Sequence, residues 1–279
     1  MSKGFLVYAT DAKFKKYTKC AYALALSIKN QMPNASISLV TDNDLPKKYN
    51  LVFDNIIDIP WKNSSIQTTF KVEDRWKLYH CSPYDETIIL DSDMLVLSKL
   101  DHWWDFLKMY DMYFTSEVKD YRGKTALGRY YRKAFDSNQL PNYYFGLCYF
   151  KKNQLAQEYF KWIEDITKNW ELFYGNFIKT NYPKSPSMDV TSGLVAKILD
   201  CELETSSKNS IVTFTHMKSM IQNWEYPTES WQDSVGVYFN EKCHLKIGNY
   251  QQNGVFHYTE YSFLNDYITN QLEKELGLN

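Results

Sequence analysis

The hydrophobic positions of this chain change period several times, and each change marks an element. Gly4 to Ala9 is a continuous apolar run of strand length. Tyr17, Cys20, Ala21, Leu24 and Ile28 then follow the i, i+3, i+4, i+7 spacing of an amphipathic helix, which Pro33 and Asn34 close. Ile37 to Thr41 and Val52 to Ile59 are further β-rich runs, the first closed by the polar Asp42-Asn43-Asp44 and the second by Pro60. This β-α-β order with short connections predicts an α/β protein with a parallel, doubly wound sheet.

Residues 62–70 are polar and read as a loop, and Glu73 to Tyr84 as a short helix. Thr87 to Leu90 (TIIL) is a compact apolar run of the kind found in buried central strands. It runs into Asp91-Ser92-Asp93 and then Met94 to Leu97. Helices are expected at His102 to Met109, Gln154 to Phe173, Asp189 to Leu199 and Tyr261 to Leu276. Strands are expected at Met112 to Thr115, Tyr143 to Phe150 (interrupted by Gly146) and Ile211 to Thr215. The reading divides into a core at 1–224 and a C-terminal extension at 225–279 packing on it, with no repeat of solenoid spacing.

Composition narrows the class. The chain has 279 residues, 44% apolar and 17% aromatic, so it can build a large core and is unlike a disordered chain. No apolar run approaches the ~18 residues of a membrane span. The N-terminus enters a strand-like run without a signal-peptide layout, which sets the expectation of a cytoplasmic protein. Lys plus Arg is 32 against 33 Asp plus Glu, a net charge of −1, so no global basic field attracts nucleic acid. A local patch exists at 119–133 (KDYRGKTALGRYYRK), where six basic residues and three tyrosines accompany one acid. The five cysteines are scattered and include no CxxC pair, which argues against a disulfide framework or zinc ribbon and for a reducing compartment.

The acidic pair Asp91-x-Asp93 carries the most chemistry. The chain holds a second such pair, Asp42-x-Asp44, but context separates them. The first follows TIIL and precedes MLVL, so two apolar runs hold its turn at the end of a buried strand. Carboxylates there need a counter-charge, and their oxygen donors suit Mg²⁺ or Mn²⁺. The carboxyl end of a strand in an open α/β sheet is also where ligands bind. The competing reading is that both aspartates cap the following turn and face water.

With VYATD near the N-terminus, RWKLYH before a strand and then IILDSDMLVL, the chain resembles the GT-A glycosyltransferases of family eight, the glycogenin and lipopolysaccharide-galactosyltransferase group. It is similar as well to glycosyltransferases encoded by bacteriophages, which would place it in a host cytoplasm. The resemblance is strongest over residues 4–150. It implies a Rossmann-like, mostly parallel sheet with a C-terminal elaboration. It implies that Ala9, Thr10, Asp11 and Tyr17 hold the nucleoside, that Lys77 and Ser92 approach the donor, and that Gly146 matches the glycine of the family's Asn-x-Gly strand. Asp91 and Asp93 match the metal-binding pair. Asp189 matches the aspartate of a Gly-Asp-Gln segment, although Met188 and Val190 flank it here. His216, with Lys218 and Trp224, matches a His…Trp segment that supplies the third metal ligand. His257, in VFHYT, is a rival for that place.

The function so implied is transfer of a sugar from a nucleotide diphosphate sugar, with a UDP-sugar the expected donor, to a hydroxyl acceptor such as a saccharide, with retention. Asp189 and Lys218 are the expected catalytic residues, the first near the anomeric carbon and the second on phosphate. Two readings compete: a glycosyltransferase acting on modified bases of DNA held by 119–133, and a nucleotide-sugar-binding protein without turnover.

Overall fold

The computed structural model describes residues 1–65, 71–125, 132–207, 210–217, 230–240 and 242–278. In chain order the elements are β1 (Lys3–Tyr8), α1 (Tyr17–Gln31), β2 (Ile37–Val40), β3 (Asn55–Ile57), α2 (Leu78–Cys81), β4 (Glu86–Asp91), β5 (Met94–Val96), α3 (Asp101–Leu107) and β6 (Met112–Thr115). Then come α4 (Lys133–Asn138), β7 (Tyr144–Lys151), α5 (Gln154–Lys168), α6 (Trp170–Phe177), α7 (Met188–Ile198) and β8 (Phe214–His216). The last are α8 (Trp231–Ser234), β9 (Val237–Phe239), β10 (Leu245–Ile247), β11 (Tyr250–Gln251), β12 (Val255–His257) and α9 (Asp266–Glu275).

Six strands form the main sheet in the order β3-β2-β1-β4-β7-β6. β1 pairs parallel with both β2 and β4, and β7 runs antiparallel to both its neighbours. The apolar runs are continuous because both faces are covered. Phe5, Val7, Ile88 and Leu90 enter the core on the α1 side, while Leu6, Tyr8 and Ile89 enter the core on the α5 and α7 side. Successive side chains of a strand point to opposite faces, so each side receives every second residue. α1 is buried over nearly its whole circumference, from Thr18 to Ile28. It lies under β5, where the Ser27 hydroxyl accepts from the Val96 N–H at 2.9 Å, and under α9, where Asn30 donates to the Leu272 carbonyl.

A second sheet, β5-β12-β8, follows directly from the end of β4. β12 is antiparallel to β5 and parallel to β8, so the segment after residue 230 is woven into the ground on which the acidic pair stands. Gly254 makes that insertion possible. Its φ is +67°, and a Cβ there would lie 2.5 Å from the Thr213 carbonyl oxygen. A third sheet, β11-β10-β9, lies in the same C-terminal part.

Several elements differ in extent from their sequence patterns. The expected strand over Val52 to Ile59 is only Asn55–Ile57, an edge strand with exposed side chains. The helix expected at Glu73 to Tyr84 is a 3-10 turn, Arg75–Lys77, followed by the single turn of α2. The helix expected from Gln154 to Phe173 breaks at Asn169, whose φ of −125° and ψ of 34° lie outside the helical region, ending α5 and starting α6. Gly146 does not interrupt β7.

All five cysteines are free and buried. Burial pushes the thiols of Cys20 and Cys243 up to about 12 and those of Cys81 and Cys201 to about 11. The thiolate is the reactive form, so these thiols are expected to resist alkylation at pH 8 in the native protein and to react on unfolding. The folded state holds protons that the unfolded chain releases from about pH 8.5 upward. The urea midpoint should therefore fall steadily above about pH 9. A midpoint that stayed level to pH 10.5 would contradict this burial.

Candidate functional site

The strand order of the main sheet reverses between β1 and β4, since β2 and β3 lie beyond β1 on one side and β4 on the other. Crevices that bind ligands form at the carboxyl ends of strands at such a switch. Tyr8 and Asp91 are parallel register partners at those two ends. The loop after β1 and the turn Asp91-Ser92-Asp93 therefore lie side by side. They line a cleft of about 210 Å³ with Ala9, Thr10, Tyr17, His216 and His257.

Asp91, Asp93 and His257 converge: one ligand atom from each lies within 4.8 Å of the others. The His257 Nε2 is 3.1 Å from Asp93 Oδ1. This follows from the second sheet, in which His257 is the register partner of Met94 on one side and of His216 on the other. The two imidazoles stand edge to face with centroids 4.7 Å apart. Among the described residues, the cluster with suitable ligand spacing contains His257, with His216 at its flank. Hard carboxylate oxygens with one imidazole make a donor set that fits Mg²⁺ or Mn²⁺.

Gly146 leaves room for this arrangement. A Cβ at that position would lie 2.6 Å from Asp91 Oδ2. Gly146→Ala is thus expected to push the Asp91 carboxylate aside while leaving β7 in place. Perturbing a group that orients a ligand costs about 10–100-fold in metal affinity. Titration of Mn²⁺ by thermal shift checks this, and an unchanged affinity would show that the close approach is unimportant.

Cations share the cleft with the acidic pair: Lys15, Lys71 and Arg75 line it too. The Arg75 Nη1 is 2.8 Å from Asp91 Oδ1, and its guanidinium lies over the Tyr8 ring at 5.0 Å. Such a cleft can take a doubly charged diphosphate on one side and a metal ion on the other. Thr259 also lines it. This β-branched residue has a φ of +61°, a backbone region such residues rarely adopt, and its buried hydroxyl oxygen has no hydrogen-bond partner. Strain and an unsatisfied polar atom together are typical of a ligand-facing position.

Other sequence-derived candidates stand elsewhere. Asp11 accepts from the Thr18 N–H at 2.9 Å and pairs with Lys16 at 3.2 Å, so it anchors the start of α1 beside the cleft. Asp189 lies in the first turn of α7. Its carboxylate pairs with Arg132 at 2.5 Å and accepts from the Phe145 N–H at 2.9 Å, next to Gly146. Lys77 does not reach the cleft. It is 2% exposed, pairs with Asp74 at 2.6 Å and donates to the Lys62 carbonyl. Arg75 occupies the cleft instead. In a 3-10 turn, residues two apart point about 240° apart, so these two cations face different ways. Lys218 and Trp224 lie outside the described residues.

The basic stretch 119–133 is largely spent on internal contacts. Arg122 pairs with Asp120 at 2.9 Å, and Lys119 donates to Thr125. Arg132 is 3% exposed, stacked between the Phe135 and Tyr144 rings and tied to Asp189. Arg129 lies outside the described residues. Three of the cations on which the DNA reading rests are thus engaged within the chain, and nothing among the described residues supports a DNA partner. Among the described residues, no helix is long and apolar enough to cross a membrane.

No protein-family model and no curated protein sequence matches the chain. Solved structures do. An active-site mutant of LgtC aligns over 98% of this chain and 95% of its own, with a TM-score of 0.50 and 13% identity. The galactosyltransferase LgtC in complex with donor and acceptor sugar analogs aligns over 99% and 94%, at TM-score 0.48 and 13% identity. The glycosyltransferase GlyE of Streptococcus pneumoniae TIGR4 aligns over 75% of this chain at TM-score 0.45 and 14% identity. The chain spans 46% of GlyE's length. The first of these is a likeness of fold. It identifies the architecture, a mostly parallel sheet flanked by helices, as the GT-A fold.

Proposed function

We propose that this protein is a metal-dependent glycosyltransferase of the family-eight type. It transfers a sugar from a nucleotide diphosphate sugar, with a UDP-sugar as donor, to a hydroxyl acceptor with retention of configuration. One observation carries the reading: two carboxylates and an imidazole converge at the switch point of a GT-A sheet, in a cleft that Lys15, Lys71 and Arg75 also line.

Asp91, Asp93 and His257 hold the ion, and His216, packed against His257, completes or buttresses the set. The bound ion supplies charge stabilisation for the leaving diphosphate. Arg75, Lys71 and Lys15 add fixed positive charge to the same cleft, where it costs no reorganisation during reaction. Ala9, Thr10 and Tyr17 form the nucleoside wall, with Asp11 keeping their loop in place through α1. Asp189 works from beside Gly146, and its bonds to Arg132 and the Phe145 amide fix the start of β7, the strand that brings Gly146 to Asp91.

Release of UDP from a panel of UDP-sugars, with Mn²⁺ and then with chelator, tests the proposal. Metal-dependent release from at least one donor is expected. Donor binding without release would favour a binding protein, and release insensitive to chelator would remove the metal from the account.

A further inference from the structure

The turn that sends Arg75 into the cleft sends Trp76 the other way, into a separate cavity of about 750 Å³. This cavity is built on aromatic rings. Trp61 stacks on Trp76 with centroids 5.5 Å apart and planes 6° from parallel, and His80 stands edge-on to both. Glu164 and Lys168, paired at 2.5 Å, form its polar rim, and Trp170 adds a further wall. Trp61 is 63% exposed, so much of its ring is open to solvent.

The backbone holds that ring out at a cost. Trp61 and Lys62 are consecutive residues in the left-handed region, with φ of 56° and 70°. L-residues other than Asn, Asp and Gly rarely adopt it, and two in succession persist only when the surroundings impose them. The surroundings here are specific. The buried Lys77 ammonium donates to the Lys62 carbonyl, and the fully buried Asp74 carboxylate accepts from the Ser64 and Ser65 amides and grips Lys77. Lys77 is thereby a positioning residue for the tryptophan loop.

We infer that this cavity is a saccharide-binding site in which a pyranose ring lies against the exposed ring of Trp61. An indole face is electron-rich and attracts the C–H groups of a sugar's apolar face. A carboxylate and an ammonium at the rim suit the hydroxyls, which both donate and accept. Of the cavity's cations, Lys77 is paired with the buried Asp74 and Lys168 with Glu164, and Glu73 adds a further acid, so there is no excess of cations to hold a phosphate. That favours a neutral sugar over a nucleotide or nucleic acid. The site shares the Arg75–Lys77 turn with the cleft and would hold a sugar of the acceptor glycan remote from the reacting hydroxyl. That purpose rests on the glycosyltransferase reading, while the binding itself does not.

Saturation-transfer NMR on the whole chain with lactose, maltose, cellobiose and N-acetyllactosamine is the test. At least one of these should give a saturable signal, with Kd on the order of 1 mM. Trp61→Ala should weaken it tenfold or more, and Trp61→Phe should retain part of it. UDP with Mn²⁺ should not displace the sugar. The site is overturned if none of the disaccharides binds saturably, if Trp61→Ala binds as the unaltered protein does, or if uridine or UDP competes. Disaccharide binding without metal-dependent UDP-sugar hydrolysis would sink the enzymatic reading and leave this site standing. Hydrolysis without disaccharide binding would do the reverse.

Discussion

Asp91→Asn and Asp93→Asn each abolish the stabilisation by Mn²⁺ with UDP and lower metal-dependent UDP release by about 10³-fold or more. Amides of the same shape keep a hydrogen bond to Arg75 or His257 but lose the charge that holds a cation. Both carboxylates are about one-fifth to one-quarter exposed, at 21% and 24%, and each meets one cationic or imidazole partner. The cost to the apo fold should therefore stay under about 2 kcal/mol. The contrast is the content of the prediction: a nearly unchanged melting temperature without ligand and a lost response to metal and nucleotide. An Asp91→Asn protein that still released UDP at the normal rate would mean that the pair is only a turn.

The largest effect on stability should come from Asp74→Ala. Asp74 is fully buried, accepts from the Ser64 and Ser65 amides at 2.8 and 3.1 Å, and pairs with Lys77, which is itself 2% exposed. Removing one member of a buried pair strands the other, a loss of about 3–5 kcal/mol. For a chain of this size that lowers the melting temperature by roughly 10 °C. Truncating both partners, as in Asp74→Ala with Lys77→Met, should recover part of the loss, because no uncompensated charge then remains. A melting temperature unchanged in the single variant would contradict the role assigned to this pair.

Much of the fold is legible because buried strands and helices write themselves in period. KGFLVY, ISLV and ETIILD are visible as strands because the sheet is covered on both faces. The acidic pair is legible for the same reason, since two apolar runs pin the turn between them. What escapes the sequence is what depends on direction or on distant chain. The reversed sense of β7 leaves no local trace, because a strand's side-chain pattern is the same in either direction. The break at Asn169 is hidden because apolar positions continue in phase across it.

The histidine beside the acidic pair shows the limit most clearly. His216 and His257 are both visible as candidates, yet only the pairing of β12 between β5 and β8 brings the His257 ring to the carboxylates. RWKLYH is legible as a functional segment, but the choice between Arg75 and Lys77 needs the pitch of one 3-10 turn and the buried Asp74 that claims the lysine. Lys71 and Lys15 were hidden by their ordinariness as loop lysines. A close approach at Gly146 was foreseeable, but not that the atom it admits is the Asp91 oxygen.

The most direct measurement is anomalous diffraction at the manganese edge from crystals grown with Mn²⁺ and UDP. One strong peak is expected within bonding distance of Asp91, Asp93 and an imidazole, with the diphosphate against it and toward Arg75. Electron density for UDP lodged elsewhere, or both aspartates turned to solvent with no peak between them, would contradict it.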